Sequence, residues 1–198
     1  MTRRARGVDH VLRLRQRRAV IGRLPREPGF EIGLEIRRGE VSGIDLDESR
    51  VGQANGGRSY IPDVPSQELA KLVRGRQLAA TSTFEGLANL DAIIICVPTP
   101  LRKTREPDIS FIIDAAQRIA ASLRRGQLIV LESTTYPGTT DEVILPMFEA
   151  KGLKVGRDFC LAFSPERIDP GNTRYTTRII PKVIGGITPT CLERAGLL

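Results

Sequence analysis

A chain of 198 residues, 40% of them hydrophobic, is long enough to bury a substantial core as one ordinary domain, or as a domain and part of another. Its longest apolar run, Ala92 to Val97, falls far short of the ~20 residues of a membrane span, and no signal-peptide pattern opens the chain. The sequence therefore predicts a protein of the cytoplasm with no membrane partner, and its three widely spaced cysteines, Cys96, Cys160 and Cys191, fit neither a disulfide framework nor a metal site.

The net charge of +7 is unevenly spread. Residues 1–40 hold 11 Arg and no Lys against 5 acidic residues, which leaves 19 basic and 18 acidic residues for the remainder. The basicity belongs to the head, MTRRARGVDHVLRLRQRR, which is expected to be a disordered or mistranslated leader, and not to the domain. An arginine-rich arm can bind phosphate backbones or anionic lipid, but this one has no interleaved aromatic residues, so no nucleic acid is expected. The rival reading is a non-catalytic α/β module whose arginine arm binds nucleic acid or another anionic partner.

In chain order, Ala19 to Gly22 reads as the end of a first strand and Val41 to Asp45 as the second. Gly22 and Asp45 lie 23 residues apart, close to the ~20 that separate the first glycine of a dinucleotide fingerprint from the acid that takes the ribose hydroxyls. The content of the turn departs from that frame. Gly22-Arg23-Leu24-Pro25-Arg26-Glu27 carries Leu24 and Glu27 at the second and third glycine positions, and Pro25 and Pro28 fall where the first helix should begin. A side chain at the second position bars the close approach of a pyrophosphate to the backbone. Residues 1–40 are expected to be a disrupted reading frame, a displaced start or a genuine divergence. Asp45 is the candidate for the ribose hydroxyls of NAD, its charge disfavouring the 2′-phosphate of NADP; the alternative role is to cap a helix over 48–55.

Ser66 is expected to cap a helix reaching Arg74, followed by a strand at 77–81 and a short helix at 84–88. Ile93, Ile94, Ile95 and Val97 form an unbroken apolar run, as in a strand covered on both faces, and Pro98 and Pro100 end it. Ile109, Ile112, Ile113, Ala116, Ile119, Ala120 and Leu123 recur at helical spacing, with Asp108 as cap and Gly126 as stop. Strands at 92–97 and 128–132 then complete a right-handed βαβ unit. Thr139 and Glu142 have capping-box spacing for a helix that reaches Ala150 with a kink at Pro146. A strand at 159–163 and an extended segment at 182–187 follow, and Thr188-Pro189 opens a helix that ends too soon to contribute much. The fold class is α/β, a Rossmann-like doubly wound parallel sheet with an irregular amino-terminal strand-turn-helix. The organisation is a head (1–40), a dinucleotide-binding domain (41–187) and the start of a linking helix (188–198).

CVPTP at 96–100, ESTTYPGTT at 132–140 and FSPERIDPGN at 163–172 carry a resemblance, to which YIPDVPS at 60–66 and IPKVIGG at 180–186 add. Together they resemble the UDP-glucose/GDP-mannose dehydrogenase family over roughly residues 41–198, most of all its UDP-N-acetylhexosamine and UDP-glucose 6-dehydrogenases. The resemblance implies NAD as cofactor and a UDP-sugar as substrate, whose C6 hydroxyl is taken to a carboxylate in two hydride transfers for surface polysaccharide precursors. It also implies a homo-oligomer. Gly22 and Thr99 would contact the cofactor; Thr134 would approach both the nicotinamide and the catalytic water. Glu166 would serve near the reacting C6 as proton acceptor or water-holder. The structural alternatives are turn hydroxyls for the two threonines and an ion pair with Arg167 or a neighbour for Glu166. The family's nucleophilic cysteine context, Cys-x-Pro-Lys-Asp, does not occur in these residues, so the chain reads as the amino-terminal third to half of such an enzyme and is expected to be inactive alone. Pro170 stands where the UDP-glucose and GDP-mannose branches carry a second glutamate, which favours the N-acetylhexosamine branch.

Overall fold

The computed structural model describes residues 18–21 (backbone), 40–61, 64–103, 106–166 and 181–198. Six strands, β1 (Arg18–Ile21), β2 (Glu40–Ile44), β3 (Leu78–Thr81), β4 (Ala92–Ile95), β5 (Leu128–Leu131) and β6 (Cys160–Phe163), pair in the order β3-β2-β1-β4-β5-β6. Every neighbouring pair among them is parallel. This is the doubly wound order, in which the chain runs outward on both sides of β1 and β4 and ligands bind at the carboxyl ends beside that switch point.

The expected extended segment at 182–187 contracts to a two-residue strand, β7 (Gly185–Gly186), antiparallel to β6. A Cβ on Gly186 would stand 2.7 Å from Leu192 Cα and 2.8 Å from the Cys191 carbonyl carbon, so only glycine lets helix α5 (Pro189–Ala195) lie directly on the strand.

Alternation along the strands separates two cores. Ile93, Ile95, Ile129, Leu131 and Leu161 face one side, where Ile112, Ala116 and Ile119 of α3 (Ser110–Ser122) and Phe148 of α4 (Leu145–Glu149) cover them. Leu128, Val130, Cys160 and Ala162 face the other, against Cys191 and Ala195 of α5. The expectation that the last helix contributes little is thereby corrected. Seven residues suffice because Thr188 caps the helix at the Cys191 amide and its apolar stripe falls on the sheet.

Helix ends hold the other corrections. Helix α1 (Glu48–Asn55) is capped by Asp47, whose Oδ1 accepts from the amides of Ser49 and Arg50. Helix α2 (Ser66–Arg74) has Pro65 at its cap, and Ser66 Oγ instead accepts from the Ser59 amide at 3.0 Å. The expected helix at 84–88 is a single tight turn, Leu87–Asn89. The capping box at Thr139 does not form. Gly138 occupies the cap at φ 91°, the Thr139 hydroxyl donates to Tyr136 O at 3.0 Å, and a wide π-turn (Thr139–Ile144) leads into α4. Pro146 falls just after the π-turn, so the irregularity expected at this proline takes the form of a change of helix type within one helical run from 139 to 149.

At the free margin of the sheet, the Asn55 side chain donates from Nδ2 to Ala80 O (2.9 Å) and accepts at Oδ1 from Ala80 N (2.8 Å). Under the strands, fully buried Gln127 is satisfied by three bonds, Nε2 to Leu87 O and Leu90 O and Oε1 from the Arg124 amide. Asp158, in the turn before β6, accepts from Arg157 and from the Lys154 amide, and these bonds lower its pKa from 3.8 to about 2. A carboxylate depressed in the folded state adds stability above its unfolded pKa and loses it as pH falls through the folded one. Urea midpoints of the wild type are therefore expected to fall between pH about 4 and about 2, and Asp158→Asn should flatten that limb.

Candidate functional site

Asp45 sits immediately beyond β2, its amide bonded to Thr81 O and its side chain buried. Its Oδ1 accepts from the Asp47 amide at 2.9 Å and its Oδ2 lies 3.7 Å from Arg50 Nη1. The helix-capping role considered for Asp45 belongs to Asp47, two residues on, so the Asp45 carboxylate stays at the strand tip. The Arg50 guanidinium stands 5.5 Å from the centre of the Tyr60 ring. Burial first, then the charge of Asp45, pushes the Tyr60 phenol up to about 12. A carboxylate held at a strand tip, its orientation fixed by a backbone amide, is an acceptor to which the hydroxyls of a ribose diol can donate. Gly22 follows the end of β1 directly and, with residues 23–27, lies outside the described residues.

The ends of β4 and β5 are tied together by one buried hydroxyl. Ser133 Oγ accepts from the Val97 amide at 2.7 Å and donates to Ile95 O at 3.3 Å, while the Glu132 amide also reaches Ile95 O. Thr99 is thus carried half-buried at the end of β4, and Thr134 is carried exposed at the end of β5. Replacing Ser133 by Ala leaves the Val97 amide without its buried partner, and chemical denaturation is expected to show a loss of about 1–3 kcal/mol.

Glu166 lies three residues beyond β6, whose end is held by the Ser164 amide on Leu131 O. Of the ion-pair partners considered for it, Arg167 falls outside the described residues, and Lys182 Nζ stands 3.9 Å from its Oε2. The same ammonium is 3.3 Å from Glu132 Oε1, and Glu132 Oε2 accepts the Cys96 thiol at 3.6 Å. Burial, then Glu132, pushes the Cys96 thiol well above its ordinary range; burial, then Cys191, raises the Cys160 thiol to about 11. All three cysteines are free and buried, in accord with structural roles.

Thr99, Thr134 and Glu166 therefore stand at the ends of three successive parallel strands, with Asp45 across β1 on the same edge. Sequence reasoning missed Ser133, Glu132 and Lys182. The first stood in the ESTT run and was legible as a hydroxyl at a strand end; the pairing of the other two spans 50 residues and had no local signal.

A doubly wound sheet with an acid at the tip of its second strand and hydroxyls at the tips of its fourth and fifth defines a dinucleotide-binding α/β domain. Residues 31–198 match the UDP-glucose/GDP-mannose dehydrogenase family, NAD binding domain, and the chain belongs to that family. The match begins beyond the departures at Leu24 and Glu27. UDP-N-acetyl-D-glucosamine 6-dehydrogenase of Pseudomonas aeruginosa is 31% identical over 167 residues, 83% of this chain and 39% of its own length. UDP-N-acetyl-D-mannosamine dehydrogenase of Escherichia coli (strain K12) is 34% identical over 171 residues, 82% of this chain and 40% of its own. The crystal structure of NDP-N-acetyl-D-galactosaminuronic acid dehydrogenase from Methanosarcina mazei Go1 matches with TM-score 0.78 at 26% identity, over 91% of this chain and 41% of that one. The chain spans about two fifths of the length of the curated relatives it matches. The cofactor of this domain family is NAD, and the reading of an arginine-armed scaffold gains no support from these relatives.

Proposed function

We propose that this chain is the amino-terminal, NAD-binding portion of a UDP-sugar 6-dehydrogenase of the N-acetylhexosamine branch, serving surface polysaccharide precursor synthesis in the cytoplasm. The observation that carries the reading is the placement of Thr99, Thr134 and Glu166 beyond the ends of the neighbouring strands β4, β5 and β6, in a chain whose relatives bear UDP-N-acetylhexosamine dehydrogenase names. Asp45 holds the adenosine ribose hydroxyls and Gly22 opens the pyrophosphate turn. Thr99 lines the cofactor, and Thr134 meets the nicotinamide end and orients the reacting water. Glu166 takes a proton at the sugar C6 or holds that water. NAD, when bound, supplies the hydride acceptor. The substrate half of the site and the nucleophilic thiol come from a second domain, and the complete enzyme is a homo-oligomer.

Amide spectra of the labelled chain in millimolar NAD test the cofactor half. Shifts are expected at Asp45, Thr99 and Thr134, and shifts confined elsewhere refute it. Incubated with NAD and UDP-glucose, UDP-N-acetylglucosamine, UDP-N-acetylmannosamine or GDP-mannose, the 198-residue chain is expected to form no NADH. Positioning by a second domain is missing from it, and such positioning is worth about 7–11 kcal/mol in well-oriented reactions. Turnover abolished by Glu166→Gln would show instead that these residues suffice.

A further inference from the structure

Three charged side chains from separate segments meet at the carboxyl edge of the sheet: Glu132 after β5, Glu166 after β6 and Lys182 before β7. Lys182 Nζ is 3.3 Å from Glu132 Oε1 and 3.9 Å from Glu166 Oε2, so one ammonium serves two carboxylates. Glu132 is held at both oxygens, since its Oε2 takes the thiol of Cys96, itself buried at the end of β4. Its backbone is fixed as well, since the Glu132 N–H donates to Ile95 O. Glu132 is the most covered of the three, its side chain 22% exposed against 38% for Lys182 and 35% for Glu166. Order therefore runs from the strand end outward. The thiol and backbone set Glu132, Glu132 sets the ammonium, and the ammonium reaches Glu166. A cation between two carboxylates also offsets their mutual repulsion, which would otherwise drive the outer one away.

We propose that Glu132 and Lys182 are positioning residues for Glu166, a relay from the end of β5 that fixes its carboxylate at the reacting edge. The relay rests on the reading of Glu166 as the group serving the sugar C6. It brings from β5 a second carboxylate, where the position four residues beyond Glu166 holds Pro170.

The test uses the 198-residue chain with glutamate isotope-labelled at the carboxyl carbon and read by NMR, the Glu132 and Glu166 signals being assigned by Glu132→Gln and Glu166→Gln. Lys182→Met is expected to shift both signals. Glu132→Gln should shift that of Glu166 through the lysine that contacts both. Lys182→Arg, which keeps the charge, should leave the Glu166 signal nearer its wild-type position than Lys182→Met does. Amide spectra unchanged away from this edge certify each fold, and should the methionine variant fail to fold, Glu132→Gln decides alone. A Glu166 signal indifferent to Glu132→Gln overturns the relay. Because the readout involves neither NAD nor sugar, that failure is distinct from failure of the functional reading, which would appear as NAD shifts away from Asp45, Thr99 and Thr134.

Discussion

Titrated with NAD, the unaltered 198-residue chain is expected to bind about 100-fold more weakly than one in which Leu24→Gly and Glu27→Gly are combined with a helix-competent sequence over 28–38. A pyrophosphate must come within hydrogen-bond distance of the backbone amides that open the first helix, and the second glycine of the fingerprint exists so that nothing stands in the way. Leu24 puts a branched side chain there, Glu27 puts a negative charge beside a dianion, and Pro25 and Pro28 each remove an amide. Hydrogen bonds to a charged group contribute about 1.5–3 kcal/mol each, so the loss of one or two accounts for a factor of ~100. In the restored chain, Asp45→Ala should weaken NAD again by about tenfold or more and erode the preference over NADP, since the carboxylate that accepts from the ribose also repels a 2′-phosphate. A low-micromolar dissociation constant for the unaltered chain, measured by calorimetry, would mean that its head forms a working cradle by another route.

The largest loss of stability from a single side chain is expected at Phe148. Its ring is fully buried and meets Phe159 edge to face, with centroids 5.8 Å apart and planes at 83°. Both rings sit in the core between the sheet and α4, among Ile112, Ile144 and Leu161. Truncation removes the transfer free energy of the ring and leaves a cavity that surrounding strands cannot close, so Phe148→Ala should cost about 3–5 kcal/mol. That is a large share of the 5–15 kcal/mol typical of a folded domain. A lowered urea midpoint at unchanged slope is the expected signature. Leu192→Ala, at a side chain 47% exposed on the outer face of α5, supplies the contrast and should change the midpoint little. Equal losses at the two positions would show that α4 does not anchor the core.

The strands and α3 were legible because their signals are local. A run such as Ile93 to Val97 has no polar alternation to spoil it, and a stripe from Ile109 to Leu123 admits one helical face. Helix ends were harder, because several short polar residues compete for each cap. Asp47 displaced Asp45, Pro65 displaced Ser66, and Gly138 with Pro146 replaced an apparent capping box by a wide turn. The candidate site divides along the same line. Asp45, Thr99, Thr134 and Glu166 were nameable from spacing and motif, whereas the roles of Ser133, Glu132 and Lys182 depend on strands becoming neighbours. The match to the family begins at residue 31, ten residues before the stretch over which the motifs carry the resemblance.

Asn55 carries a consequence for assembly. Ala80 turns its peptide N–H and C=O away from β2, and in an unguarded sheet those two groups would template the strand of another molecule. The carboxamide of Asn55 has the same donor and acceptor as a peptide and fills both places, so a helix residue acts as a one-residue strand. At the opposite margin the last strand is two residues long and overlaid by α5, too short to extend a ladder. Among the described residues, the strand of another molecule would therefore find both outward-facing groups of Ala80 already taken.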